Sequence, residues 1–230
     1  MSCRVNLLTH TPRADEVVTA AARLCYSDST ADNLLTEELA SLSVPLLELL
    51  QRSGHHSPFE HASFTFAVDG LSRVTSHQLV RHRIASFSQQ SQRYVRMETP
   101  DVILPPSLLT CSEAQELFLK QAREAHETYK KLISLGIPQE DARFILPHGW
   151  ETRLVLTMNA RELHHFYHLR LCRRAQWEIR ELARLMLIET RKAAPLLFAL
   201  AGPSCLFREC EEARPCGRPF NDMEELLAKD

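Results

Sequence analysis

Residues 81–93 read Arg81-His82-Arg83-Ile84-Ala85-Ser86-Phe87-Ser88-Gln89-Gln90-Ser91-Gln92-Arg93, a run of three guanidiniums, one imidazole, three hydroxyls and three carboxamides. Only Ile84, Ala85 and Phe87 are available to anchor it in a core. Guanidiniums offer rigid donor forks that match phosphate and carboxylate oxygens, while hydroxyls and amides both donate and accept. The set suits a ligand with an anionic end and a polar heterocycle. A solvated loop is the plainer alternative, but arginine is used throughout and no local acidic residue pairs with it. The preceding residues 71–83 have a helical pattern in which Gln78, Arg81 and His82 stand at i, i+3 and i+4. One helix face would then present an amide, a guanidinium and an imidazole, with Leu79 and Val80 anchoring the other side.

A second polar concentration is Gly54-His55-His56-Ser57-Pro58-Phe59-Glu60-His61. Three histidines invite a metal reading, yet adjacent loop histidines point apart and no Cys or Asp completes a tetrahedral set. A loop facing a ligand or a subunit boundary fits better. Further along, His164 and His168 form an i, i+4 pair, but the metalloprotease helix needs Glu directly after its first His and His165 stands there. Cys205, Cys210 and Cys216 are separated by four and five intervening residues, which is not the paired spacing of a zinc site, so free or structural thiols are expected and no metal is assigned. None of the six glycines forms a G-x-G-x-x-G turn or a P-loop. A dinucleotide would have to be held by side chains.

The elements that must position these residues follow from hydrophobic periodicity. Residues 3–8 and 62–68 alternate as strands, the second ending at Asp69-Gly70, and 153–158 alternates with Arg153 at its polar edge. Helices are predicted over 14–25, with Val17, Ala21 and Leu24 inward, and from Thr36 with Glu37 and Glu38 in its first turn to Leu50, interrupted at Pro45. A long amphipathic helix spans 112–135 through Ala114, Leu117, Phe118, Ala125, Tyr129 and Leu132, and a short one spans 139–144. Asn159 is a natural N-cap for a helix carrying Arg161, His165 and Leu169 at i, i+4 and i+8. A last helix runs over 175–192 with Trp177, Leu182, Leu185 and Ile188 as core.

The chain has 230 residues, 44% hydrophobic and 24% charged, enough for one substantial core. Its longest apolar run, 193–201, is too short to span a bilayer, and 1–13 lacks a signal-peptide core, so a cytoplasmic protein with no membrane partner is expected. Seven scattered cysteines read as reduced thiols. The net charge of -2 supplies no general drive toward nucleic acid, although only five of the 27 basic residues are lysine.

Arg81-His82-Arg83, followed after seven residues by Ser91 and then by Arg93, resembles the signature of the flavin-dependent thymidylate synthases. The 54–61 stretch is similar to that family's Gly-His-x-Ser/Thr-Pro-Phe-Glu-His segment. Asn159, Ala160, Arg161, Leu163, Phe166, Leu169 and Arg170 match a third block, and 175–180 continues it. The matched blocks extend from Gly54 to Arg180 and leave the Cys-containing tail, 202–230, uncovered.

The resemblance implies methylation of dUMP to dTMP, with methylenetetrahydrofolate as carbon donor and NADPH as reductant through FAD. It implies a homotetramer whose sites are shared between subunits. Carried over, Arg170 faces the uracil ring and favours its ionised form, and Ser91 is the motif serine, read as a hydroxyl that positions dUMP. Gln78, Leu79, Val80, Arg81, Gln89, Gln90, Ser91, Gln92, Arg93 and Arg153 match the dUMP-binding positions, with Arg93 and Arg153 as phosphate forks. His55, Ser57, Glu60, Arg81, His82, Arg83, Gln89, Asn159, Arg161 and His165 match FAD positions. The chain departs from some members at Gln89, where they carry an acidic residue, and at His165, where they carry Asn. The only Pro-Cys pair, Pro215-Cys216, lies in the tail, so no cysteine nucleophile of the other thymidylate synthase family is expected.

Two rival readings fit parts of the sequence. A single-strand nucleic-acid binder would track phosphates with Arg81, Arg83, Arg93 and Arg96 and stack bases on Phe87 and Tyr94. A His-cluster metal hydrolase would hold stoichiometric zinc. The expected fold is α+β, a small mixed β-sheet built from strands near Val5, Phe66 and Leu156 and covered by helices. It forms a single domain over 1–230 with a flavin-dependent thymidylate synthase-like fold.

Overall fold

The computed structural model describes residues 3–28, 30–33 and 39–228, without the side chains of Ala40 and Ser41. The elements in chain order are β1 (Arg4–His10), α1 (Ala14–Leu24), α2 (Leu39–Ser53), β2 (Ser63–Ser72), α3 (Arg73–Leu79), β3 (Ala85–Gln89), α4 (Pro106–Leu109) and α5 (Ser112–Ser134). They continue with α6 (Gln139–Ala142), β4 (Glu151–Asn159), α7 (Ala160–Arg170), α8 (Trp177–Ala193) and α9 (Met223–Leu227). The α+β class holds. The described strands form one four-stranded sheet in the order β1-β2-β4-β3, antiparallel rather than mixed, and β3 is a strand that the polar 81–93 pattern did not announce.

The chain divides into two compact units. The larger comprises Arg4–Ala67, His82–Phe87 and the chain from Val155 onward. Here β2 and β4 share a polar bridge, Thr65 Oγ1 to Thr157 Oγ1 at 2.9 Å, on one face, while Phe64, Phe66, Leu156 and Met158 are buried on the other. That alternation is the period-2 pattern of a sheet with one covered face. Helix α8 crosses β1, α7 packs on α8, and α1 packs on α2. Both α1 and α7 also meet the 3₁₀ turn Ser57–His61. Phe64 and Phe198 meet edge to face at 5.2 Å, and the buried Tyr167 hydroxyl is hydrogen-bonded to Thr190 Oγ1 at 3.1 Å.

The smaller unit comprises Val68–Arg81 and Ser88–Leu154 with the N-terminal Cys3. Its core is Met97, Tyr129, Ala142, Leu146 and Trp150, with Leu132 and Ile133 of α5 packed against it. Buried His126 reaches the Met97 carbonyl at 2.8 Å and so satisfies a polar group inside that core.

Several expectations shift by a turn or a face. Strand β2 does not stop at Asp69-Gly70: Gly70 takes φ +71°, a conformation open to glycine, and the strand runs on to Ser72. Ser72 then caps α3 by accepting from the Thr75 N–H at 3.1 Å. Helix α3 ends at Leu79, so Arg81 and His82 lie beyond it and share no helical face with Gln78. On α1 the buried positions are Ala14, Val18, Thr19, Ala20 and Ala22, with Val17 and Ala21 half-buried and Leu24 exposed. On α8 the buried apolar positions are Ile179, Leu182, Ala183, Met186 and Leu187, with Trp177, Leu185 and Ile188 half-buried. On α5 Leu117 is exposed and the buried stripe is Ala122, His126 and Tyr129. Pro45 sits inside α2. The predicted start of that helix at Thr36, Glu37 and Glu38 lies outside the described residues.

Asn159 behaves as expected. Its side chain accepts from the Glu162 N–H at 2.9 Å and fixes the point where β4 turns into α7. Asn159→Ala should therefore lower unfolding stability by about 1 kcal/mol, while Asn159→Asp, which still caps, should stay near wild type in a denaturant titration.

Candidate functional site

In the larger unit, α7 organises the polar residues. Its first turn points Arg161 outward, where it is ion-paired with Glu60 of the turn Ser57–His61, and Glu162 inward. His165 follows one turn later and is exposed, as are His55, Ser57 and Arg83. Glu162 is only 6% exposed, an expensive position for a carboxylate unless it is paired. Its partner is His82, itself 4% exposed, whose Nδ1 lies 2.9 Å from Glu162 Oε1. The other ring nitrogen, Nε2, accepts from Arg170 Nε at 3.0 Å. Phe166 meets the same ring edge-on at 5.0 Å.

His82 and two α7 residues, 80 and 88 positions further along the sequence, thus form one hydrogen-bonded chain. Burial holds the His82 imidazole below its ordinary pKa, with the charges of Arg170 and His165 acting in the same direction and Glu162 opposing them. A neutral ring with its proton on Nδ1 satisfies both contacts. Partial burial also pulls the Arg170 guanidinium down from its ordinary value, but it remains a cation at physiological pH.

Glu162 is the residue that the sequence reading missed. Its signal was its place on the same helical stripe as Phe166 and Arg170, at i+4 and i+8, where an isolated carboxylate has no business without a buried partner. His82 is among the positions matched to FAD, and both of its ring nitrogens are engaged by Glu162 and Arg170.

In the smaller unit the residues after β3 are held by β4 and by their own turn. The Gln89 amide donates to Thr152 Oγ1 at 3.0 Å, and the Gln90 N–H donates to the Arg153 carbonyl at 2.9 Å. Ser91 Oγ accepts from the Arg93 N–H at 3.2 Å, which leaves its hydroxyl proton to donate elsewhere. Gln92 is half-buried. Arg93 directs Nε and a terminal nitrogen at Glu140 Oε2, at 2.9 and 2.7 Å. Its phosphate-fork role would therefore require exchange of that carboxylate, which is feasible because both side chains are about half exposed and such pairs are weak.

Arg153 is less engaged, with Nε 3.8 Å from Asp69 and 4.0 Å from Glu151. It lines a cleft of about 160 Å³ together with Gln90, Arg96, Asp101, Trp150 and Glu151. Of the remaining predicted dUMP positions, Gln78 is half-buried and Val80 and Arg81 are exposed. The Leu79 side chain is fully buried, so only its backbone is open to a ligand.

Among the described residues no three His, Cys, Asp or Glu side chains are grouped to hold a metal ion. The His164 and His168 pair diverges: Nε2 of His164 donates to the Leu197 carbonyl at 2.8 Å, while His168 lies 3.4 Å from Glu211. None of the seven cysteines is in a disulfide. Burial pushes the Cys172 thiol up, away from the thiolate form that reacts.

The family model described as thymidylate synthase complementing protein matches residues 6–196. The flavin-dependent thymidylate synthase of Geobacter sulfurreducens is 46% identical over 94% of this chain and 94% of its own length. The chain belongs to the flavin-dependent thymidylate synthase family. A further member from Clostridium tetani is 42% identical over 95% of this chain and 94% of its own, and one from Pyrococcus furiosus is 44% identical over 91% and 89%. Among solved structures, the UMP/dUMP methylase PolB from Streptomyces cacaoi, bound with 5-Br dUMP, superposes with a TM-score of 0.77 at 28% identity. That match covers 88% of this chain and 97% of the methylase. The relatives extend the likeness beyond the motif blocks into the Cys-containing tail of this synthase-family chain.

His164 gives the larger unit a pH signature. Packed against Phe59 at 5.3 Å and Phe198 at 5.4 Å, it is pushed down to about 4 by burial, with the Leu197 hydrogen bond opposing and the neighbouring His56 adding to the shift. The unfolded chain, with an imidazole near the ordinary 6.5, binds the proton first. Stability is then complete above that value and falls as the pH drops from about 6.5 toward 4, by at most about 3 kcal/mol from this group. Urea titrations should show this slope in the wild type and a shallower one in His164→Gln.

Proposed function

We propose that this chain converts dUMP to dTMP by reductive methylation, with 5,10-methylenetetrahydrofolate as carbon donor and FAD, reduced by NADPH, as its redox cofactor. The observation that carries this reading is Arg170. It is a guanidinium fixed through Nε by a buried acceptor, at the end of the helix that carries the family's Asn-Ala-Arg block. Its two terminal nitrogens remain for a ligand. A fixed cation opposite a pyrimidine oxygen or N3 stabilises negative charge as it develops, with no reorganisation at the moment of reaction.

The other residues that the family resemblance matches would bind and orient. Arg153, and Arg93 after exchange of Glu140, suit the phosphate of dUMP, and Ser91, Gln89 and Gln90 suit the polar edges of its sugar and base. Arg83, Arg161, His55 and Ser57 are exposed donors of the kind that a pyrophosphate and a ribityl or adenine group need. The lack of a glycine-rich turn in the sequence leaves that task to side chains. Bound FAD would supply the two-electron reduction that one-carbon transfer requires, while the protein orients and polarises. Arg161 and Glu60 would part, or keep one contact, when an anionic group arrives.

Residues this polar on short elements are incomplete by themselves, which supports a homotetramer with shared sites. The family model spans 6–196 and so runs through both compact units, which supports one functional domain. No described helix is long and apolar enough to cross a membrane, and seven cysteines without a disulfide fit a cytoplasmic setting. Single-strand nucleic-acid binding is not supported: Arg93 is ion-paired with Glu140, and family membership accounts for the Arg-rich stretch.

After incubation with FAD and desalting, the protein should keep flavin absorption bands that shift when dUMP is added. Arg170→Ala should keep the flavin but show a weakened shift and form dTMP about 10²- to 10³-fold more slowly. A protein that retains no FAD and ignores dUMP would contradict the assignment.

A further inference from the structure

We infer that Glu162 and His82 form a buried relay that positions Arg170, with Glu162 selecting the imidazole tautomer and His82 presenting a bare Nε2 to the guanidinium. The inference rests on the dUMP-methylating reading for what Arg170 does, but its geometry is independent of any ligand. An ionised carboxylate accepts hydrogen bonds and donates none. Glu162 at 2.9 Å therefore requires the proton on Nδ1, and a neutral ring protonated there keeps its lone pair at Nε2. That lone pair takes the Arg170 Nε–H at 3.0 Å. Nε is the one guanidinium donor that points sideways from the chain, so tethering it fixes the plane of the fork and leaves both terminal NH2 groups for substrate. The arrangement matches the way a carboxylate orients a histidine at a metal or catalytic site, where loss of the supporting group typically costs about 10- to 100-fold.

The site is built to keep this tautomer. Both His82 and Glu162 are buried, and Asn159 caps the helix turn that carries Glu162 through the Glu162 N–H. The titratable and charged groups that face the His82 ring are Glu162, His165 and Arg170, all on α7, with Phe166 edge-on. Protonating Nε2 would set an N–H against an N–H and release Arg170. Because burial, with Arg170 acting in the same direction, holds the imidazole below its ordinary pKa, the relay is intact above that depressed value and breaks as the pH falls through it.

Two isosteres separate relay from simple packing. In His82→Gln the amide oxygen reaches the region of Nε2 and still accepts from Arg170. In His82→Asn the shorter amide reaches only the region of Nδ1. With FAD retained by both proteins, His82→Asn should lower kcat for dTMP formation about 10- to 100-fold with little change in KM for dUMP. His82→Gln should stay within about fivefold of wild type and lose the acid limb of the kcat–pH profile, since an amide does not titrate in this range. Equal activity in the two variants, or an unchanged acid limb in His82→Gln, would overturn the relay.

Nitrogen NMR of labelled histidine in the wild type and in Glu162→Gln provides a readout that needs no turnover. His82 should show a protonated Nδ1 and a bare Nε2, and the Gln variant, whose amide can also donate, should mix the tautomers. A proton on Nε2 in the wild type would overturn the relay. Wild-type protein that shows the expected tautomer but forms no dTMP would instead refute the dUMP reading and leave the relay standing.

Discussion

A carboxylate buried to within a few per cent of complete exclusion from water must be neutralised or paired, and Glu162 is paired with a histidine from a distant part of the chain. Much else in the larger unit serves that contact. β4 runs straight into α7, Asn159 fixes the first turn, and Phe166 and Leu163 bury the same helix against the core. Removing one partner would leave an uncompensated charge or donor, which typically costs about 3–5 kcal/mol. The gain is positional: the last residue of the helix, Arg170, is held through its Nε.

Arginine is used for these tasks in preference to lysine for a physical reason. A guanidinium has a sideways donor to tether and a terminal pair to use, whereas an ammonium is a point charge on a flexible stem. The same division recurs in the smaller unit, where the turn after β3 is shaped by Ser91 accepting from the Arg93 N–H and by Gln90 donating to the Arg153 carbonyl. Arg93 then carries only a solvent-exposed pairing with Glu140, and Arg153, itself exposed, stands 3.8 and 4.0 Å from Asp69 and Glu151, so that both guanidiniums are accessible to an incoming dianion.

The order of helices and strands was largely legible, because α5, α7 and α8 are long and periodic and because Asn159 marks its helix start unmistakably. What escaped were features that sequence spacing does not encode. Gly70 lets β2 continue through a turn signal, which moved the start of α3 and took Arg81 and His82 off a shared helical face. Strand β3 is short and mostly polar, held by pairing with β4 rather than by an apolar face of its own. The motif blocks pointed to the Arg, Ser and Asn positions, but they passed over Glu162. A buried acid is recognisable only through its partner, and His82 lies eighty residues away.

The most direct test is product analysis of the purified, flavin-loaded protein supplied with dUMP, methylenetetrahydrofolate and NADPH. The account predicts a nucleotide heavier than dUMP by one methylene unit, identified by mass spectrometry as dTMP, formed only when all three substrates are present. Unchanged dUMP under conditions in which the protein retains its flavin would contradict it.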